Sequence, residues 1–263
     1  AKLYTLIQTF NTCLLVWIPY FNAYINENTS GIDEMCNLLK ENKIEEDRIN
    51  RFKSSVFSYK LKNLIAKFSA GTELTILSEE IASCCCDMKR LWANLYYYKN
   101  GYLKQYISSG YNEMIWMLSL ATLLKVDRDQ FNNLVEIIDR DGVVDVLFEK
   151  IISFHDPLRP IISDETYHPK IQYIPNDFKL LRSAIKSTDK KETEKLVGNY
   201  LTKEWYKNQK KLGTLTLSPE KDSYIGCWCF EAAAFVVILD LDDSSFRDCP
   251  YYPKDLVDYF RSK

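Results

Sequence analysis

Two carboxylates stand out by their setting. Glu231 is the single charge in the middle of the apolar run 225–241, and Asp243 follows it in the polar turn 240–248. Acids held in unlike environments can divide general-acid and general-base work, because burial raises one pKa while hydration leaves the other ordinary. An α-helical enzyme acting through Glu231 and Asp243 is therefore one reading of the chain. The other reagents of catalysis are scarce. His155 and His168 are the only imidazoles, and both fall in a segment punctuated by Pro157, Pro160, Pro169 and Pro175. The His155-Asp156 pair lacks the second cluster that a metal-dependent phosphohydrolase needs, so His155 reads as a loop residue without a catalytic role. The eight cysteines include three in a row, Cys84, Cys85 and Cys86, with no CxxC pair. They spell neither a zinc site nor a disulfide framework and read as reduced thiols. No GxSxG, Walker loop, GxGxxG or HExxH occurs, and the 139–142 turn lacks the ligand spacing of a calcium loop. The expectation is of no catalytic set, no metal and no cofactor.

Collectively the acids offer a field rather than a reagent. Asp127, Asp129, Glu136, Asp139, Asp141, Asp145 and Glu149 crowd one stretch against Arg128 and Arg140. Asp222, Asp240, Asp242, Asp248, Asp255 and Asp258 weight the end of the chain. Such faces steer and dock basic partners. The candidates for partner contact are Asp127, Asp129, Asp139, Asp141 and Asp145 on one surface, and Asp222, Asp240, Asp242 and Asp248 on another. The plain alternative is that these acids cap helices or pair with nearby cations. A basic run between Lys190 and Lys211 and the tyrosines from Tyr96 to Tyr111 are the features that would serve nucleic acid. With a formal net charge of −2, solvation and core packing account for them better, and no nucleic acid is expected as a ligand.

The elements that must position these groups read as helices. Eight Gly and eight Pro among 263 residues leave long uninterrupted segments, and 46% apolar with 27% charged residues is a globular balance. Residues 3–25 carry an amphipathic stripe with Pro19 as a kink, and their longest apolar run is far too short for a membrane span. A turn at 28–31 separates a short helix, 32–40. Further helices are expected over roughly 46–69, 72–98, 111–124, 129–138, 143–153, 176–186 and 187–211. Gly71 serves as a left-handed C-terminal residue and Thr72 as a cap. The run 225–241 is apolar on every face, which predicts a fully buried helix. The fold class is all-α: a compact helical bundle, in one large domain or two closely packed ones.

One combination is more specific than any of these. Gly226-Cys227-Trp228-Cys229-Phe230-Glu231-Ala232-Ala233-Ala234 resembles the GYW-S/C-FEAAA signature of the polymorphic-nuclease immunity proteins, the PoNi family. The stretches 242–248 (DDSSFRD) and 250–257 (PYYPKDLV) continue the likeness in order. Upstream, LIAKFSAG at 64–71 is similar to the family's LIALYSAG, and Trp205-Tyr206 stands at its WY helix. The resemblance spans about 44–263, with Phe68, Cys227 and Cys249 as departures from the commoner Tyr, Tyr and His. It implies an all-helical bacterial protein of the cytoplasm, built as two packed helical subdomains, residues 1–110 and 111–263. Such a protein binds and neutralises a cognate PoNe-like DNase toxin, delivered between cells, without catalysis. Trp228, Glu231, Asp243, Tyr251, Tyr252 and Asp255 then belong to a mainly structural signature. Glu231 reads as a buried acceptor for a donor of the Pro250–Pro253 turn.

Overall fold

The computed structural model describes residues 2–92, 106, 109–160, 162, 176–213, 215–217 and 221–262, with side chains from Trp17 onward. Among these residues the regular structure is helical and no strand occurs. The tyrosines at 96–98 and 102, His168 and most of the Pro-rich connector lie outside the described residues.

The chain begins with α1 (Lys2–Lys40), a single helix through Pro19 and through the turn expected at 28–31. The polar residues there find helical partners instead. Thr29 donates back to the Ile25 carbonyl, Asn28 donates to the Tyr59 carbonyl, and Asn63 donates to the Thr29 hydroxyl. The last two bonds cross to α2 (Ile49–Ser69), which packs along α1. Tertiary bonding thus overrides a local turn signal. α3 (Leu74–Leu91) follows, entered through Glu73 rather than a Thr72 cap.

Two helices form the axis. α4 (Ser109–Leu123) is buried from Gly110 to Leu123 except at Glu113. α10 (Phe230–Ile238) is buried from Phe230 to Val237. They pack against each other, and α4 also touches α3, α5 (Arg128–Asp141), α6 (Val146–His155) and α11 (Lys254–Ser262). Each fully buried large aliphatic side chain contributes about 1.5–3 kcal/mol. A helix apolar all round is therefore stable only where neighbours cover every face. Amphipathic helices supply that cover: α7 (Lys179–Lys186), α8 (Lys190–Asn199) and α9 (Trp205–Leu212) continue from α6. Among the described residues no helix is long and apolar enough to cross a membrane.

The apolar run does not become helical at residue 225 as expected. Gly226 has φ +100°, a conformation that side-chain-bearing residues rarely adopt, and the Cys229 N–H donates to the Tyr251 carbonyl at 2.8 Å. A Cβ on Gly226 would lie 2.1 Å from the Ser69 hydroxyl oxygen and 2.6 Å from the Trp228 indole nitrogen. That crowding marks a joint. Ser69 donates to the Ile225 carbonyl and accepts from Trp228 Nε1, while Phe68 lies edge-on to Trp228 and Phe230. The end of α2 and the approach to α10, over 150 residues apart in sequence, are locked together here.

Candidate functional site

Glu231 is fully buried at the first turn of α10. Its Oε1 accepts from the Tyr200 hydroxyl at 2.8 Å and from Trp205 Nε1 at 2.9 Å. In an α-helix, residues five apart point about 140° away from each other. Here α8 passes into a π-helical turn, Tyr200–Glu204, in which the Trp205 N–H bonds to the Tyr200 carbonyl. This five-residue bond brings both side chains onto one face. The donors to Glu231 thus come from the π turn and the start of α9, not from the Pro250–Pro253 turn. Burial raises the Glu231 pKa against the bonds that favour its ionised form.

Asp243, also buried, has its own set of donors: Arg247 at 2.8 Å, the Tyr252 hydroxyl at 2.9 Å and Arg261 at 3.2 Å. Burial pushes its pKa up, but bonds from Tyr252 and Arg261 and the guanidinium charges outweigh that and hold it below the usual range. Glu231 and Asp243 share no donor. Each acts as the acceptor around which a turn or helix end is assembled. Tyr251 stacks on Tyr206 and Trp205, and its carbonyl accepts from Cys229. Asp255 is exposed in the first turn of α11, where a negative charge complements the helix dipole.

The acids proposed for partner contact divide. Asp127 and Asp129 are exposed at the start of α5, Asp222 is exposed in the segment before α10, and Asp240, Asp242 and Asp248 are exposed after it. Asp240 pairs with Lys190, and Asp242 accepts from the Ser244 N–H and hydroxyl. Asp139 is exposed but clamped to Arg159, which also binds Glu149. Asp141 and Asp145 do not lie on the expected surface. Asp141 accepts from the Tyr106 hydroxyl and the Arg140 guanidinium. Asp145 caps α6 through the Leu147 and Phe148 N–H groups and binds Tyr111 and Arg182 within the core. His155 likewise ends α6 rather than occupying a loop. It stacks on Phe131 at 3.8 Å, beside the Thr122 hydroxyl, and burial with the Arg128 charge pushes its pKa down to about 4.

Two family models cover the fold just described. PoNe immunity protein (PoNi), N-terminal, matches residues 15–136, and PoNe immunity proteins (PoNi), C-terminal, matches residues 143–256. The chain belongs to the PoNi family. The crystal structure of protein PA2201 from Pseudomonas aeruginosa is similar at a TM-score of 0.65, with 18% identity over 92% of this chain and 88% of that one. That likeness is one of fold. No curated protein matches the chain.

In this PoNi chain, the N-terminal match contains Ser69 and the C-terminal match contains Gly226, Trp228, Glu231 and Asp243. The joint and the Glu231 network are therefore built from family segments, as is the Asp243 network apart from Arg261. One further carboxylate went unnoticed in the sequence: Glu113, the lone charge of α4. The signal that singled out Glu231, one acid in an otherwise apolar helix, applies equally to it. Glu113 accepts from the Ser58 hydroxyl, and burial pushes its pKa up to about 7 against the bonds from Ser58 and Trp92.

Proposed function

We propose that this chain binds a cognate DNA-degrading toxin of the PoNe type and neutralises it by forming a stoichiometric complex, in the bacterial cytoplasm. The observation that carries the reading is the match of PoNi models to both halves of the chain. Immunity by binding asks for a stable fold and a complementary surface rather than for a reaction centre. The described carboxylates fit that demand, because Glu231, Asp243, Asp141 and Asp145 are taken up by internal donors. A surface set remains for contact: Asp127, Asp129, Asp222, Asp240, Asp242 and Asp248. A nuclease must hold phosphates with basic groups, so an acidic inhibitor face competes with DNA and speeds encounter.

The test is co-expression with a PoNe-type nuclease from the same bacterium. Growth should be protected and the two proteins should co-purify. Toxicity undiminished by abundant, folded chain contradicts the proposal.

A further inference from the structure

A cleft of about 1080 Å³ opens between α1, α2 and residues 213, 215–216 and 221–225. Lys62, Leu215 and Ile225 are walls of this cleft and also of a smaller cavity of about 140 Å³ behind it. The inner cavity is lined by Glu113, Ser58 and Trp116. Trp116 is only 4% exposed, and its indole N–H has no acceptor among the described residues. A buried donor left unpaired costs about 1–3 kcal/mol, so its place beside a cavity asks for an acceptor from outside. Glu113 is bonded by neutral donors, Ser58 and Trp92. Lys62, which also lines the inner cavity, lends a charge that favours ionised Glu113, but its ammonium lies over the Tyr59 ring at 5.7 Å and no ion pair joins the two among the described residues. The outer walls add Glu27, Glu34 and Asp222 against Lys221. Four carboxylates thus face two ammonium groups along the path inward.

We propose that this cleft receives a protein segment of the toxin and that a Lys or Arg side chain of that segment enters the inner cavity to pair with Glu113. A carbonyl of the segment would accept from the Trp116 indole. The inference rests on the proposed function for the identity of the partner. The chemistry is coherent: a cation supplies the direct ion pair that Glu113 lacks among the described residues, and a main-chain acceptor satisfies the orphan donor. A nuclease surface that grips phosphate carries such side chains.

The test uses Glu113→Gln and Trp116→Phe in the full chain, each first shown by thermal melting and circular dichroism to be folded. Against the nuclease that co-purifies with the wild-type chain, Glu113→Gln should weaken binding by about 30-fold or more, chiefly through faster dissociation. Trp116→Phe should weaken it by about tenfold. In parallel, n-butylguanidinium chloride is titrated against the indole-¹⁵N-labelled protein. The Trp116 resonance should shift saturably in wild type and not in Glu113→Gln. Unchanged toxin affinity in both variants overturns the cleft assignment while leaving toxin neutralisation intact. Failure of the wild-type chain to bind any nuclease, with the indole shift still observed, overturns the partner and retains a cation site.

Discussion

Glu231 gathers two buried donors, the Tyr200 hydroxyl and the Trp205 indole N–H. Glu231→Ala would strand both donors in a dry interior at roughly 1–3 kcal/mol each. We expect a loss of roughly 2–5 kcal/mol in urea unfolding, with Glu231→Gln milder because its amide oxygen can still accept. An unchanged midpoint for Glu231→Ala would remove the structural role assigned to it. Glu113 and His155 make opposite contributions to the pH dependence of stability. Glu113 has a folded pKa of about 7 against an ordinary 4.5, so the native state holds a proton that the unfolded chain has released. Stability from this group falls as pH rises through that window. His155 has a folded pKa of about 4 against 6.5, so its contribution is lost as pH falls from 6.5 to 4. Glu113→Gln should therefore equal wild type near pH 4 and exceed it by up to about 3 kcal/mol above pH 7. Parallel stability curves for the two proteins would contradict the burial assigned to Glu113.

At the scale of elements, the joint at Ser69, Gly226 and Trp228 ties the end of α2 to the approach of α10. Gly226→Ala would meet both a left-handed backbone and two atoms within 2.6 Å. It should cost more than about 2 kcal/mol, well beyond Ser69→Ala at about 1 kcal/mol. Equal melting temperatures for Gly226→Ala and wild type would show that the joint is dispensable. Element boundaries also show where sequence reading stops. The helical period of α2, α4 and α5 was plain because each must bury one or more faces. The Asn28–Gly31 stretch read as a turn because its residues favour turns in isolation, whereas here they bond across to α2. The π turn at Tyr200 leaves no mark in periodicity, since one altered turn shifts the phase only locally.

Over the whole molecule, the all-α class and the family were legible from few breakers, one run apolar on every face, and the 226–234 signature. The distribution of its acids was not. Asp141 and Asp145 look like surface charges in a list, yet burial with Tyr106, Tyr111 and Arg182 depends on residues far away in sequence. The exposed set that remains leads to an electrostatic prediction. Reversing Asp127 and Asp129, or Asp240 and Asp242, to Lys should slow association with the nuclease about tenfold or more at low salt and much less at high salt. Stopped-flow rates insensitive to both reversals would place the contact elsewhere. The most direct measurement is a titration of DNase activity: a PoNe-type nuclease that co-purifies with this chain, held fixed, against increasing amounts of the chain. Activity should fall linearly and vanish near one equivalent. Full DNA cleavage in the presence of several equivalents of folded chain would contradict neutralisation by stoichiometric binding.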